Sequence, residues 1–188
     1  MIACYVSGKG MHATEPTWMF KTTVIGVLES SKLGHDTRYR YYLKQFPDTD
    51  AGQLARMVCD PIEFYDQDWP DYLANKEAHK SEDETIADFM LMRDYQFQHD
   101  ADVAIYCYDE AGFGSGINTM RFINAGKPIL GFYNPGIKDK GVNISNILQL
   151  KVTNPHLVTL IEYQSVTDIA DAVVYWLENC RVHKRNYV

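Results

Sequence analysis

The segment that most constrains the fold is Ala101–Tyr108, which reads ADVAIYCY and is apolar at every position except Asp102. A run without alternating polar residues is typical of a parallel strand that is covered on both faces. A helix predicted over Glu82–Gln98 leads into this strand, and Ser81 with Glu84 forms a capping-box pattern at its start. The segment therefore predicts a buried strand of an α/β fold.

The rest of the chain repeats this alternation of strands and helices. Further strands are predicted at Ile2–Ser7, Pro128–Tyr133 and Leu157–Glu162. Further helices are predicted at Thr17–Ser31, Ile117–Ala125 and Asp168–Asn179, the last one capped by Ser165. Alternating elements of this kind imply a doubly wound parallel sheet with right-handed crossovers. Ligands of such sheets bind beyond the carboxyl ends of the strands, at the switch point.

The region of about 35–80 interrupts the pattern. His35–Pro61 is rich in tyrosine and weakly periodic, and we expect one short helix near Asp50–Val58. Ile62–Tyr65 is predicted to be a short strand, and Asp66–Lys80 a loop or short helix. With 188 residues the chain suits a single domain, 1–188, with an insertion at about 35–80.

Composition limits the classes of function. The net charge of −7 argues against a protein that binds the nucleic-acid backbone, although a small nucleotide stays possible as a ligand. The four cysteines lie far apart and are expected to be reduced core residues. No signal peptide or membrane span is visible, so we expect a cytoplasmic protein with no membrane partner.

The loop Asp109–Gly116 is the strongest candidate for a ligand site. It joins the buried strand to a helix, and its three glycines at alternate positions let the backbone turn and approach a ligand. The free N–H groups of the helix start favour an anion or a polar oxygen, Ser115 adds a hydroxyl, and Asp109 is expected to face the same cleft. The alternative is a plain strand–turn–helix connection in which the glycines serve geometry alone.

Other motifs are weaker. The dinucleotide fingerprint fits poorly and the phosphate-loop motif is absent. Asp94 is a second candidate, against the simpler interpretation of a surface carboxylate paired with Arg93. The six histidines show no metal-ligand spacing, so we expect no metal and no cofactor.

Taken together, these residues resemble the nucleoside 2-deoxyribosyltransferase-like family. The likeness is carried by Asp94, Ala101–Ile105, Asp109-Glu110, Gly114–Gly116 and Gly126–Pro128, whose spacing resembles the family's pattern without a gap. Tyr5–Gly8 resembles the family's first strand and base-contacting loop, and Asn143–Asn146 resembles a segment that approaches the sugar, sometimes that of a neighbouring subunit. The likeness touches most of the chain but omits 35–80.

The resemblance implies a flavodoxin-like, usually homo-oligomeric domain that binds a nucleoside or nucleotide and cleaves or transfers at its N-glycosidic bond. The candidate catalytic residues are Asp94, Asp109 and Asn118. The candidate ligand-binding residues are Tyr5, Ser7, Gly8, Gly10, Gly112, Gly114, Ser115, Gly116 and Asn143.

The sequence departs from the family at the nucleophile. Active relatives use a glutamate that attacks the anomeric carbon, and this position holds Asn118, followed by Met120 where a glycine is expected. An asparagine amide is a poor nucleophile and carries no negative charge. Three explanations stay open: binding without turnover, hydrolysis through water activated by Asp109, Glu110 or Asp94, and a different sugar-nucleotide reaction.

Overall fold

The apolar runs of the sequence form one five-stranded sheet in which all strands are parallel. The structure is a computed structural model that describes residues 1–9, 13–59, 81–136 and 144–180. In these residues the strands are β1 (Ile2–Ser7), β2 (Gly34–Asp36), β3 (Val103–Cys107), β4 (Ile129–Tyr133) and β5 (Val158–Glu162). Their order is β2-β1-β3-β4-β5, so the fold is the doubly wound, flavodoxin-like α/β arrangement that was predicted.

Helices connect the strands and cover both faces of the sheet. The described helices are α1 (Glu15–Ser31), α2 (Thr37–Gln45), α3 (Ala51–Cys59), α4 (Glu82–Asp100), α5 (Phe113–Asn124), α6 (Ile144–Thr153) and α7 (Val166–Asn179). The predicted cap at Ser165 is confirmed, because its side chain and Asp168 form a complete capping box. At the start of α4 the Ser81 hydroxyl accepts a hydrogen bond from the Glu84 N–H. The Glu84 carboxylate in turn accepts from the Ser81 hydroxyl, whereas in a complete capping box it would accept from the Ser81 N–H.

Alternation along the strands divides the core into two layers. Val6 and Ile105 face the layer under α1 and α7, with Phe20 and Val173 as helix partners. Tyr5, Ala104 and Tyr106 face the other layer, which Phe97 and Phe122 complete from α4 and α5. Because all five residues of β3 are buried, its uniformly apolar sequence is explained by contact on both faces.

The switch point of the sheet lies between β1 and β3. β1 pairs with β2 on one side and with β3 on the other, in the register Cys4↔Val103 to Ser7↔Tyr106. The chain leaves β1 towards β2, whereas β3 leads on to β4 and β5, so the connections diverge at this point. The segments after Ser7 and after Cys107 therefore border the crevice in which ligands of such folds bind.

The structure differs from the prediction over 35–59. One short helix was expected in this segment, but it contains residues of the edge strand β2 and two helices that pack into the core. Asp36, Tyr42 and Leu54 are almost fully buried. The expected helix near Asp50–Val58 is confirmed as α3. The expectations for Ile62–Tyr65 and Asp66–Lys80 lie outside the described residues.

Among the described residues, no helix combines the length and the apolar character that a membrane crossing requires. Cys4, Cys59 and Cys107 are buried free thiols, as expected for core residues.

Candidate functional site

A cavity of about 270 Å³ opens at the switch point, between the segments that follow β1 and β3. Its size is close to the lower end of the range of small-molecule sites. The described lining residues are Tyr5, Ser7, Gly8, Lys9, Lys21, Arg38, Val58, Arg93, Asp94, Glu110, Gly112, Gly114, Ser115 and Asn118. The lining thus brings together most of the residues that the sequence singled out, from three separate regions of the chain.

The β1 side of the cavity is built by the end of the strand. Tyr5 is 1 % exposed, and its ring lies between the Arg38 guanidinium, 4.5 Å from the ring centre, and Phe122 at 5.8 Å. Burial raises the pKa of Tyr5, which keeps its hydroxyl protonated. A Cβ at Gly8 would lie 3.0 Å from Thr17 Cγ2. Gly8 therefore allows the chain to leave the sheet close against α1.

The glycine turn after β3 is shorter than predicted. α5 begins at Phe113 and not at Ile117, so Gly114 lies in its first turn. Gly112 is the N-cap residue of α5. Because glycine has no side chain, no side-chain hydrogen bond caps the first N–H groups of this helix. A Cβ at Gly112 or Gly114 would meet no protein atom within 4 Å, and neither has a positive φ. Packing and backbone conformation therefore do not require these glycines, and both line the cavity.

The two acidic residues after β3 have separate roles. Asp109 was expected to face the cleft, but its Oδ1 accepts the Asn134 N–H at 2.7 Å and its Oδ2 accepts the Tyr163 hydroxyl. Asp109 is not among the lining residues, whereas Glu110 is. Asp109 does not line the cavity because Asn134 and Tyr163, which directly follow β4 and β5, hold its carboxylate by hydrogen bonds. Its carboxylate therefore anchors the loop.

Glu110 is the carboxylate that the turn presents to the cavity. Its Oε2 accepts the Thr14 N–H at 3.0 Å and the Thr17 hydroxyl at 2.5 Å. Its Oε1 lies 3.9 Å from Lys9 Nζ. These contacts tie the β3 loop to the start of α1, and they position one carboxylate oxygen towards the basic residue of the opposite wall.

Asp94 of α4, the second candidate from the sequence, also lines the cavity. Its Oδ1 accepts a hydrogen bond from Arg93 Nη2 at 2.9 Å, so the expected pairing with Arg93 is present as well. Arg93 is 7 % exposed and also reaches the Tyr42 hydroxyl at 3.3 Å. The ion pair is therefore part of the wall of the cavity and not a feature of the outer surface.

Basic residues are the part of the site that the sequence analysis missed. Lys21 and Arg38 both line the cavity and are 1 % and 4 % exposed. Lys21 lies on the buried face of α1 between Phe20 and Val24, and a charged residue among these apolar neighbours was the available signal. Arg38 follows Asp36 in the segment that was assigned to the insertion, so no signal placed it near a ligand.

Asn118 lies on α5 at the rim of the cavity, one helical turn after Gly114. Its Oδ1 accepts a hydrogen bond from Arg121 Nη1 at 3.1 Å. Of the candidate ligand-binding residues, Ser7 and Ser115 line the cavity, whereas Gly116 is exposed on α5 and is not among the lining residues. The two remaining candidates, Gly10 and Asn143, lie outside the described residues.

The assembled site combines two carboxylates, an amide, three hydroxyl groups and four basic groups around a cavity of small-molecule size. This chemistry suits a polar ligand that carries negative charge. No group of His, Cys, Asp and Glu that could hold a metal ion occurs within the described parts of the chain. When the sequence was compared with known proteins, neither a protein-family model nor a curated protein matched the chain.

Proposed function

We propose that the protein binds a nucleoside or nucleotide in the switch-point cavity and cleaves its N-glycosidic bond. The observation that carries this proposal is that Asp94 and Glu110 line the same cavity as the free start of α5. The resemblance of the glycine turn and Asp94 to the deoxyribosyltransferase-like family supports the class of ligand.

The chemistry assigned to the site is hydrolysis. A water oxygen forms a bond to the anomeric carbon and the C–N bond breaks, so that the base departs with the bonding electron pair. Glu110 accepts one proton of the water and returns it to the solvent, and the departing base takes up a proton from the solvent. Two carboxylates near the sugar stabilise the positive charge that develops on its ring. Asp94 orients the base, and Ser115 and the α5 N–H groups hold polar oxygens.

The test is to incubate the protein with a panel of nucleosides and 5′-nucleotides and to measure free base by chromatography. We expect base release that Glu110→Gln reduces at least about 100-fold, since general-base catalysis contributes about 10²–10⁴. The absence of base release from every compound would overturn the hydrolytic proposal.

A second candidate function is ligand binding without turnover. It is favoured by Asn118, whose amide stands where the family-like pattern has a glutamate and is engaged by Arg121. This candidate expects a nucleoside or nucleotide to raise the melting temperature with no base released, and it expects Asn118→Glu to gain base release. Asn118→Asp is the matched control, because its shorter carboxylate does not reach as far.

A further inference from the structure

Two basic side chains that the proposed reaction does not use line the cavity, although they are almost completely buried. They are Lys21 of α1 and Arg38 of α2. Moving a charged group out of water is costly unless partners replace its hydration. The hydrogen-bond partners of Lys21 and Arg38 therefore show how far the protein itself neutralises each positive charge.

The described partners of Lys21 are neutral. Its Nζ donates to the Lys9 carbonyl at 2.8 Å and to the Cys59 carbonyl at 3.3 Å. An ammonium group has three donors, and these two bonds use two of them. Neither partner is a carboxylate, so no negative side chain within hydrogen-bond distance balances the charge of Lys21 in the described part of the chain.

The charge of Arg38 is balanced only in part. One Nη2 hydrogen goes to the Val6 carbonyl. Its Nε is buried without a hydrogen-bond partner among the described residues, and the nearest carboxylate oxygen, Asp36 Oδ1, lies 3.9 Å away. That Oδ1 already accepts the N–H groups of Arg38 and Tyr39, while Oδ2 accepts the N–H of Val6.

The charges along the wall do not cancel. The described lining contains four basic residues, Lys9, Lys21, Arg38 and Arg93, and two acidic ones, Asp94 and Glu110, a difference of +2. Counting Asp36 behind Arg38 still leaves +1. The whole chain has a net charge of −7, so this positive balance is a local property of the cavity. Such a site favours an anionic ligand.

We propose that Lys21 and Arg38 form an anion-binding subsite that holds the phosphate of a nucleotide, so that the cavity selects nucleotides over nucleosides. This inference rests on the proposed function. A phosphate monoester carries about −1.5 to −2 charges at pH 7 and three acceptor oxygens, which suit an arginine fork beside an ammonium group. The start of α5 and Ser115 are then left for the sugar hydroxyls.

The charge state of Lys21 makes this subsite sensitive to pH. Burial, and then the positive charge of Arg38, lower the pKa of Lys21 to about 8, while Cys59, Asp94 and Cys107 act in the opposite direction. A bound phosphate favours the charged ammonium. Nucleotide affinity should therefore fall as the pH rises above about 8, whereas nucleoside affinity should not.

The experiment measures the dissociation constants of a 5′-nucleotide series, of the matching nucleosides and of inorganic phosphate by calorimetry at pH 7 and pH 9.5. We expect nucleotides to bind about 10- to 100-fold more tightly than nucleosides at pH 7, the range of a charge-assisted contact. Lys21→Gln should remove most of this preference and its pH dependence. Lys151→Gln, on the exposed face of α6, is the control for the loss of one positive charge.

The outcomes separate the two proposals. If neither nucleosides nor nucleotides bind, the proposed function fails. If both bind equally, or if Lys21→Gln weakens both equally, the function stands and the phosphate subsite is overturned. Inorganic phosphate that binds as tightly as every nucleotide would overturn the nucleotide assignment. Should Lys21→Gln not fold, the wild-type ratio of nucleotide to nucleoside affinity between pH 7 and 9.5 still decides, because a constant ratio contradicts the inference.

Discussion

Single residues decide how the site works, and the pair Asp109-Glu110 shows this most directly. The two carboxylates are adjacent in sequence, yet one accepts hydrogen bonds from Asn134 and Tyr163 and the other lines the cavity. Sequence order does not reveal which of the two carboxylates lines the cavity. The placement depends on tertiary hydrogen-bond donors, which follow β4 for Asp109 and lie at the start of α1 for Glu110. The sequence analysis expected Asp109 to face the cleft, whereas in the structure the neighbouring Glu110 lines the cavity.

We predict that amide substitution at Asp109 mainly lowers stability, whereas amide substitution at Glu110 mainly lowers base release. Asp109→Asn removes the negative charge that accepts hydrogen bonds from the Asn134 N–H, the Tyr163 hydroxyl and the Cys107 thiol, and it should lower the free energy of unfolding by about 2–3 kcal/mol. Glu110→Gln keeps an oxygen that can accept from Thr14 and Thr17, so it should cost about 1 kcal/mol or less while base release falls. Urea titrations together with the base-release assay check this. Equal losses of stability would contradict the division of roles.

At the scale of elements, the sequence predicted the strands and helices that have long apolar patterns. It missed the elements that form only through tertiary contacts. The strands β1, β3, β4 and β5 and the helices α1, α4 and α7 lie within a few residues of their predicted positions. β2 was missed because its three residues, Gly-His-Asp, contain no apolar side chain, and pairing with β1 alone makes it a strand. α2 was missed with it, since its tyrosines and arginines obscure the buried face.

The start of α5 was placed four residues too late because glycines disfavour helices. In the structure Gly114 and Gly116 both adopt helical positions, and a Cβ at either would meet no atom within 4 Å. A residue that costs helix stability without a packing reason is consistent with a function at that position. Only Gly114 of the two lines the cavity.

This difference gives a matched pair of substitutions. Gly114→Ala and Gly116→Ala should each stabilise the helix by up to about 1 kcal/mol. We expect Gly114→Ala to weaken ligand binding at least about tenfold, since its methyl group enters the space next to the α5 N–H groups, whereas Gly116→Ala should leave affinity unchanged. Thermal melting and calorimetry provide the two readouts. If Gly114→Ala and Gly116→Ala changed ligand affinity by the same factor, the change would come from the stability of the helix and not from the space in the cavity.

At the scale of the whole molecule, burial makes the stability of the core layer under α1 and α7 depend on pH. Burial, and then the charge of Asp109, raise the pKa of the Cys107 thiol to about 12, and burial also raises the pKa of Cys4. In the unfolded chain these thiols lose their protons near pH 8.5–9, at about their ordinary pKa. Their contribution to stability is therefore complete below that pH and is lost as the pH rises towards 12. Lys21, with its lowered pKa, acts in the opposite direction between about 8 and 10.5.

The contribution of Cys107 can be isolated by comparison with Cys107→Ala. Between pH 9.5 and 11 the difference in unfolding free energy between wild type and variant should shrink by about 1.4 kcal/mol per pH unit. Val103→Ala, at another fully buried position of β3, should show a difference that stays constant with pH. Denaturant titrations across this range provide the measurement. A constant difference for Cys107→Ala would mean that its thiol ionises equally in the folded and unfolded states.

The register of β1 has a consequence for how the chain is made. Cys4 pairs with Val103, so β1 meets its β3 neighbour only after about a hundred further residues have been synthesised. At roughly 5–20 residues per second, β1 leaves the ribosome some 5–20 s before this neighbour exists. During that interval its apolar edge has only the short β2 to pair with, and such edges promote aggregation. Refolding of the complete chain should be slow for the same reason, because a parallel pairing between distant segments must close a long loop first.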